Sequence, residues 1–281
     1  MDQLVNLLGY EFVQNAMLAG FVIAIVAGVV SPFVVARNMS FAVHALSELG
    51  FTGAAGFILI GLSPVLGLLA GSAVTALFIG ALGARVRGRD SVIGLVMAFG
   101  LGLGVLFITL YPKYASEAFA LLFGTINGVS RGDVLFLAAI AVTALVALGV
   151  VYRPLTFATV DPEVAEARGV PVRILGIVFL LILAAAVSEA IEVVGVLLIL
   201  TLLITPGATA ERLTARPGQA TLYSVAVALF CTIGGILLSL VTNAPVSVFV
   251  TSLSFASYLI ARFIAGPALE ARAPRGVLAQ T

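Results

Sequence analysis

Long stretches without a single charge, separated by short polar breaks, dominate this chain. A helix crossing a bilayer takes about 20 mostly apolar residues, and the stretches divide at that length. Residues 12–36 carry no charge and predict a first span at about 14–36. Further spans follow at about 40–62, 64–84 (opened by Pro64), 91–111 and 133–152. After a polar segment come spans at about 172–188 and 193–210. Residues 217–261 are again free of charge and too long for one span; Thr242-Asn243-Ala244-Pro245 divides them into about 218–241 and 246–265. The apolar segment 117–128, EAFALLFGTING, is too short to cross and reads as re-entrant or interfacial.

The pattern therefore predicts an all-α integral membrane protein, a polytopic bundle of about nine transmembrane helices, with eight to ten possible. One domain spans 1–281, with its core at 12–266, a cytoplasmic loop at 153–172 and a flexible tail at 267–281. Composition agrees: hydrophobic residues make up 62% and charged residues 10%, against roughly 45–50% and 25% in soluble domains. When the loops are assigned to alternate sides, all but two of the 14 Lys and Arg residues fall on one side; Lys113 and Arg131 are the exceptions. The positive-inside rule makes the rich side cytoplasmic, with the N-terminus outside and the C-terminus inside. The expected location is a bacterial-type plasma membrane. The N-terminal segment has no basic region and carries Asp2 and Glu11, so it does not read as a cleaved signal peptide. The net charge of +1 says nothing about nucleic acid, but with no basic patch and no stacking surface none is expected as a partner.

Few residues can carry chemistry. His44, the only histidine, and Glu48 lie four apart near the start of the second span, on one face of a helix. Ionisable residues at membrane depth are costly and are read first as functional. Imidazole and carboxylate together suit a divalent transition metal, but two ligands are too few for a closed structural zinc site. That suits a cation in transit; a packed, hydrogen-bonded polar pair is the alternative. Glu189 and Glu192 flank a junction of spans and either collect cations at an entrance or cap helix ends. Asn243 and Pro245 fit a turn. Cys231, the lone cysteine, reads as a packing residue. Gly67/Gly71 and Gly100/Gly104 have the spacing that lets helices approach closely. No GxxxxGK[ST] loop, HExxH or nucleophile elbow is present, so the chain does not hydrolyse ATP and is not expected to be an enzyme.

The polar segment Asp161-Pro-Glu-Val-Ala-Glu-Ala-Arg-Gly169-Val170 reads as a short capped helix. Asp161 suits the N-cap, Pro162 the first turn and Gly169 the left-handed stop. Glu163 and Arg168 suit the two ends of the dipole. A helix this short needs support from elsewhere, either the bundle or a cytoplasmic partner.

In its motifs the chain resembles the permease subunits of the metal-uptake ABC transporters, which import zinc, manganese or iron. Asp161–Val170 is similar to that family's ATPase-coupling helix, and Val194–Ala210 to its VGxLLVxALLxxPAATA stretch. Asp90–Gly94, Leu122–Gly124 and Asn243–Pro245 come in the expected order, so the likeness spans roughly 15–265. It implies a coupling role for Asp161, Pro162, Glu163, Ala165, Glu166 and Gly169. It also implies a separate cytoplasmic ATP-binding subunit, an extracytoplasmic metal-binding protein and a homodimer in membrane lipid. The family's Asp-x-x-x-His pair maps onto His44 and Glu48 with the order exchanged, and Asn243 stands where the family tends to have an acid. The expected function is a permease for ATP-driven uptake of divalent metal, zinc first and then manganese or iron. No cofactor is permanently bound; the metal is cargo. The alternative is a proton-coupled secondary transporter with His44 and Glu48 as the relay.

Overall fold

The computed structural model describes residues 10–82, 89–110, 130–196, 199–242 and 244–270. Every element among them is helical: α1 (Glu11–Ala36), α2 (Ser40–Leu59), α3 (Pro64–Leu82), α4 (Arg89–Leu110), α5 (Arg131–Val160), α6 (Pro162–Ala167), α7 (Val172–Val194), α8 (Ile199–Leu213), α9 (Pro217–Thr242) and α10 (Val246–Glu270). Eight are long and apolar enough to cross a membrane: α1 to α5, α7, α9 and α10. The segment 117–128 lies outside the described residues.

The expected seventh span is the main correction. Helix α7 runs six residues past the expected end, to Val194, where Gly195 takes φ +85 and ψ 159. Only glycine adopts that conformation without strain. The next helix, α8, has 15 residues, a length of about 22 Å. It buries Ile199, Leu202, Leu203, Pro206, Gly207 and Ala210, the stripe of an amphipathic helix.

Helix α5 also exceeds its expected span. Arg153-Pro154 reads as the start of a loop, yet the helix continues through Pro154 to Val160. Its end is set by Asp161, which takes an extended φ of −144. A residue before proline is biased to that region. At the other end Ser130 and Asp133 form a capping box: Asp133 N–H donates to Ser130 Oγ at 3.2 Å, and Ser130 N–H donates to Asp133 Oδ2 at 2.9 Å. Helix α10 likewise passes Pro267 and reaches Glu270.

Helices α1, α2 and α7 form the centre, with 67%, 61% and 67% of their apolar windows buried. The windows of α4, α5 and α10 are buried by 22% or less. Leu95, Leu135 and Phe263 stand more than two-thirds exposed on these outer helices, as a lipid-facing surface allows.

The two ends of the bundle differ. At one, Arg37 after α1 hydrogen-bonds Thr159 near the end of α5, and Arg173 at the start of α7 reaches the Ala81 carbonyl near the end of α3. The turn between α8 and α9 borders the same end of α1 and α5, because Glu211, Thr214 and Arg216 share a cavity with Pro32, Phe33 and Thr159. At the opposite end Glu11 and Arg131 pair across exposed surface at 3.3 Å. Helix α8 thus runs back to the arginine-rich end despite its shortness.

Candidate functional site

Helix α2 carries a pair of ionisable side chains that pack together within the bundle. It is fastened to α3 by close backbone contact. A methyl group on Gly53 would collide with the Gly67 carbonyl, one on Gly67 would sit 2.5 Å from the Gly53 oxygen, and one on Gly71 would meet the Leu49 carbonyl. The Gly67/Gly71 spacing is therefore the contact surface for α2. Gly100 and Gly104 on α4 instead leave room for the side chains of Leu49, Phe51 and Thr52. Hydroxyls add to the hold: Ser72 donates to the Leu46 carbonyl at 2.9 Å, and Thr52 donates to the Gly100 carbonyl at 2.7 Å. Small residues at the crossing and hydroxyls to backbone carbonyls are how helices associate where apolar burial offers no drive.

On this fixed helix His44 Nε2 lies 3.2 Å from Glu48 Oε1, with side-chain exposures of 37% and 15%. His44 Nδ1 is buried and has no partner among the described residues. Ser47 donates to the His44 carbonyl at 2.8 Å. Helix α2 begins at Ser40, so Glu48 lies eight residues in, about 12 Å along the axis. The pair sits in the half of the bundle nearer the arginine-rich end, not at the middle.

The pair has two ligand groups, and among the described residues no cluster of three or more His, Cys, Asp or Glu is placed to hold a metal. A further buried acid is Glu189. That residue lies within α7 at 1% exposure, enclosed rather than at a solvent-facing helix end. The backbone of Glu192 falls in α7, and Asn243 lies outside the described residues. Sequence reasoning passed over a second feature, an open cavity of about 370 Å³ between α8 and α10. Thr201, Thr205, Thr251 and Tyr258 line it with Ile204 and Phe255. Threonines spaced four apart on α8 were its only signal.

The short helix α6 forms as its caps dictate. Asp161 Oδ1 accepts from Val164 N–H at 3.0 Å, Pro162 opens the helix, and Gly169 takes φ +83 beyond its end. Ala165 is completely buried, on a helix that packs on α5 and α7. Glu163, Val164 and Glu166 face outward.

The model of the ABC 3 transport family matches residues 9–265. The chain is 34% identical over 212 residues to the manganese transport system membrane protein MntC of Halalkalibacterium halodurans, covering 75% of this chain and 73% of that one. It is 25% identical over 231 residues to the high-affinity zinc uptake system membrane protein ZnuB of Haemophilus influenzae, covering 82% and 88%. The solved structure of PsaBC from Streptococcus pneumoniae in complex with Fab superposes with a TM-score of 0.85 at 26% identity, covering 94% of this chain and 95% of that one. A family match over nearly all the described helices, with a shared fold, makes this chain a member of the ABC 3 transport family: a multi-pass membrane permease, and not an enzyme.

Proposed function

We propose that this permease carries a divalent transition metal inward, driven by ATP hydrolysis on a separate cytoplasmic subunit. The observation that supports this best is the His44–Glu48 pair, 3.2 Å apart on a helix locked by glycine contacts, in a member of an ABC transport family. Neutral imidazole and carboxylate are both ligands for manganese and zinc. The 34% identical relative is named for manganese and the 25% identical one for zinc, so manganese takes first place and zinc second, reversing the order expected from sequence. Membership of an ABC family leaves the proton-relay alternative without support.

Two ligands hold a metal weakly, which favours release. A homodimer would bring a second pair to one pathway, and closed two-fold dimers are the commonest assemblies. In this reading the N-terminus is outside, and the arginine-rich end, with α6, faces the cytoplasm. Glu163, Val164 and Glu166 are the surface offered to the ATPase. An extracytoplasmic binding protein delivers the metal at the end marked by Glu11 and Arg131. Glu189, enclosed on α7, serves as a gate residue rather than a collector. In this reading the metal is cargo.

The test is uptake of radioactive manganese and zinc by proteoliposomes holding the whole complex. ATP-dependent accumulation of manganese ahead of zinc is expected. Accumulation driven by a proton gradient without ATP would contradict the reading.

A further inference from the structure

Arg37 joins three helices at the arginine-rich end. It comes directly after α1, and its backbone N–H bonds to the Phe33 carbonyl at 3.1 Å. Its Nη1 donates to Thr159 Oγ1 at 3.1 Å. The Thr159 hydroxyl spends its own proton on the Leu155 carbonyl at 2.7 Å, so towards Arg37 it can only accept. The guanidinium also lies 5.8 Å from the centre of the Phe179 ring on α7, within cation–π reach.

The turn after Arg37 matters as much. Asn38 adopts φ +53, and Met39 N–H bonds back to the Val34 carbonyl at 2.8 Å. The turn ends at Met39, which is 6% exposed and whose carbonyl accepts Val43 N–H at 3.0 Å. His44 lies five positions beyond Met39, less than two helical turns. On the other side, Asp161, which caps α6, lies two positions beyond Thr159. One hydrogen bond therefore spans from the base of the docking helix to the base of the helix that carries His44 and Glu48.

The surroundings leave room for movement. A cavity of about 270 Å³ is lined by Pro32, Phe33, Tyr152, Thr156 and Thr159 among others. This cavity borders the ends of α1 and α5 beside the Arg37–Thr159 bond. Beside it the Phe33 ring meets Tyr152 edge-on at 5.5 Å and Phe179 at a tilt at 5.9 Å.

We infer that Arg37 is a positioning residue that transmits displacement of α5 and α6 to α2, coupling events at the ATPase-docking end to the His44–Glu48 pair. This rests on the proposed docking of an ATPase at α6. A guanidinium suits the role because its fork can hold Thr159 and remain over Phe179 together, which a lysine ammonium does less well.

The experiment measures metal ions moved per ATP hydrolysed, using manganese and the full complex in proteoliposomes. Thr159→Val removes the acceptor at nearly constant shape, and Thr159→Ser keeps it. Arg37→Met keeps the stem and removes the donors. Thr159→Val and Arg37→Met are each expected to lower the ratio at least severalfold, because the tie that carries the displacement is lost. ATPase association and basal hydrolysis should remain, and Thr159→Ser should couple as the unaltered protein does. The double variant should be no worse than Arg37→Met alone, since Thr159→Val removes only a bond that Arg37→Met has already broken. A normal ratio in Thr159→Val, equal loss in Thr159→Ser, or additive effects in the double variant would overturn the inference. Val164→Arg separates the two levels. If it releases the ATPase while Thr159→Val transports normally, the docking reading stands and the inference falls. If the unaltered permease binds no ATPase, both fall.

Discussion

Gly53 on α2 and Gly67 on α3 face each other so closely that neither can carry a methyl group without striking the other's carbonyl. This contact sets how near α3 lies to the helix bearing His44 and Glu48. Gly67→Val should therefore separate the helices and destabilise the bundle by about 1–3 kcal/mol, the usual cost of overpacking. A methyl group on Gly102 of α4 would have nothing within 4 Å of it, so Gly102→Ala should leave stability unchanged or slightly raised. Thermal unfolding in detergent compares the two. Equal behaviour would mean that the glycine crossing does not hold the helices.

The two faces of α6 make opposite predictions. Val164 is 43% exposed and Ala165 is completely buried. Val164→Arg should abolish co-purification of the ATPase at unchanged thermal stability. Ala165→Arg should lower stability, because it forces a charge and a long side chain into a filled site. If Val164→Arg leaves the ATPase bound, the docking surface lies elsewhere.

Orientation is testable by labelling. With Cys231, a buried thiol, replaced by alanine, single cysteines at Lys113 and at Arg216 should react from opposite sides of the membrane. Arg216 lies at the arginine-rich end. Reaction of both from the same side would contradict the alternation of loops.

Much of this fold is legible in the sequence because charge-free runs of the right length have few alternatives in a bilayer. Residues 12–36 become α1 nearly as the flanking charges bound them, and 217–242 become α9 up to the Thr242-Asn243-Ala244-Pro245 break. The misplacements come from local signals outweighed by neighbours. Pro154 reads as a helix stop, but α5 continues through it, with Leu155 and Ala158 beyond it buried in the bundle. Gly195 reads as one small residue among 29 glycines, and only its positive φ shows that it ends α7. At the site, the spacing of His44 and Glu48 correctly predicts that they meet. That Ala165 faces inward and that Arg37 reaches Thr159 are facts of tertiary packing, the latter between segments 122 positions apart. No periodicity within either segment encodes them.

The most direct test of the pair is uptake of radioactive manganese by proteoliposomes holding the complete complex with His44→Ala or Glu48→Gln. Each change removes one of two ligand groups 3.2 Å apart while keeping the glycine-locked frame. Uptake should fall about tenfold or more in each variant, because a cation at this depth left without a ligand has little water to replace it. ATPase association and thermal stability should be preserved. Near-normal uptake by both variants would show that the pair is a packed polar contact and that the metal takes another path.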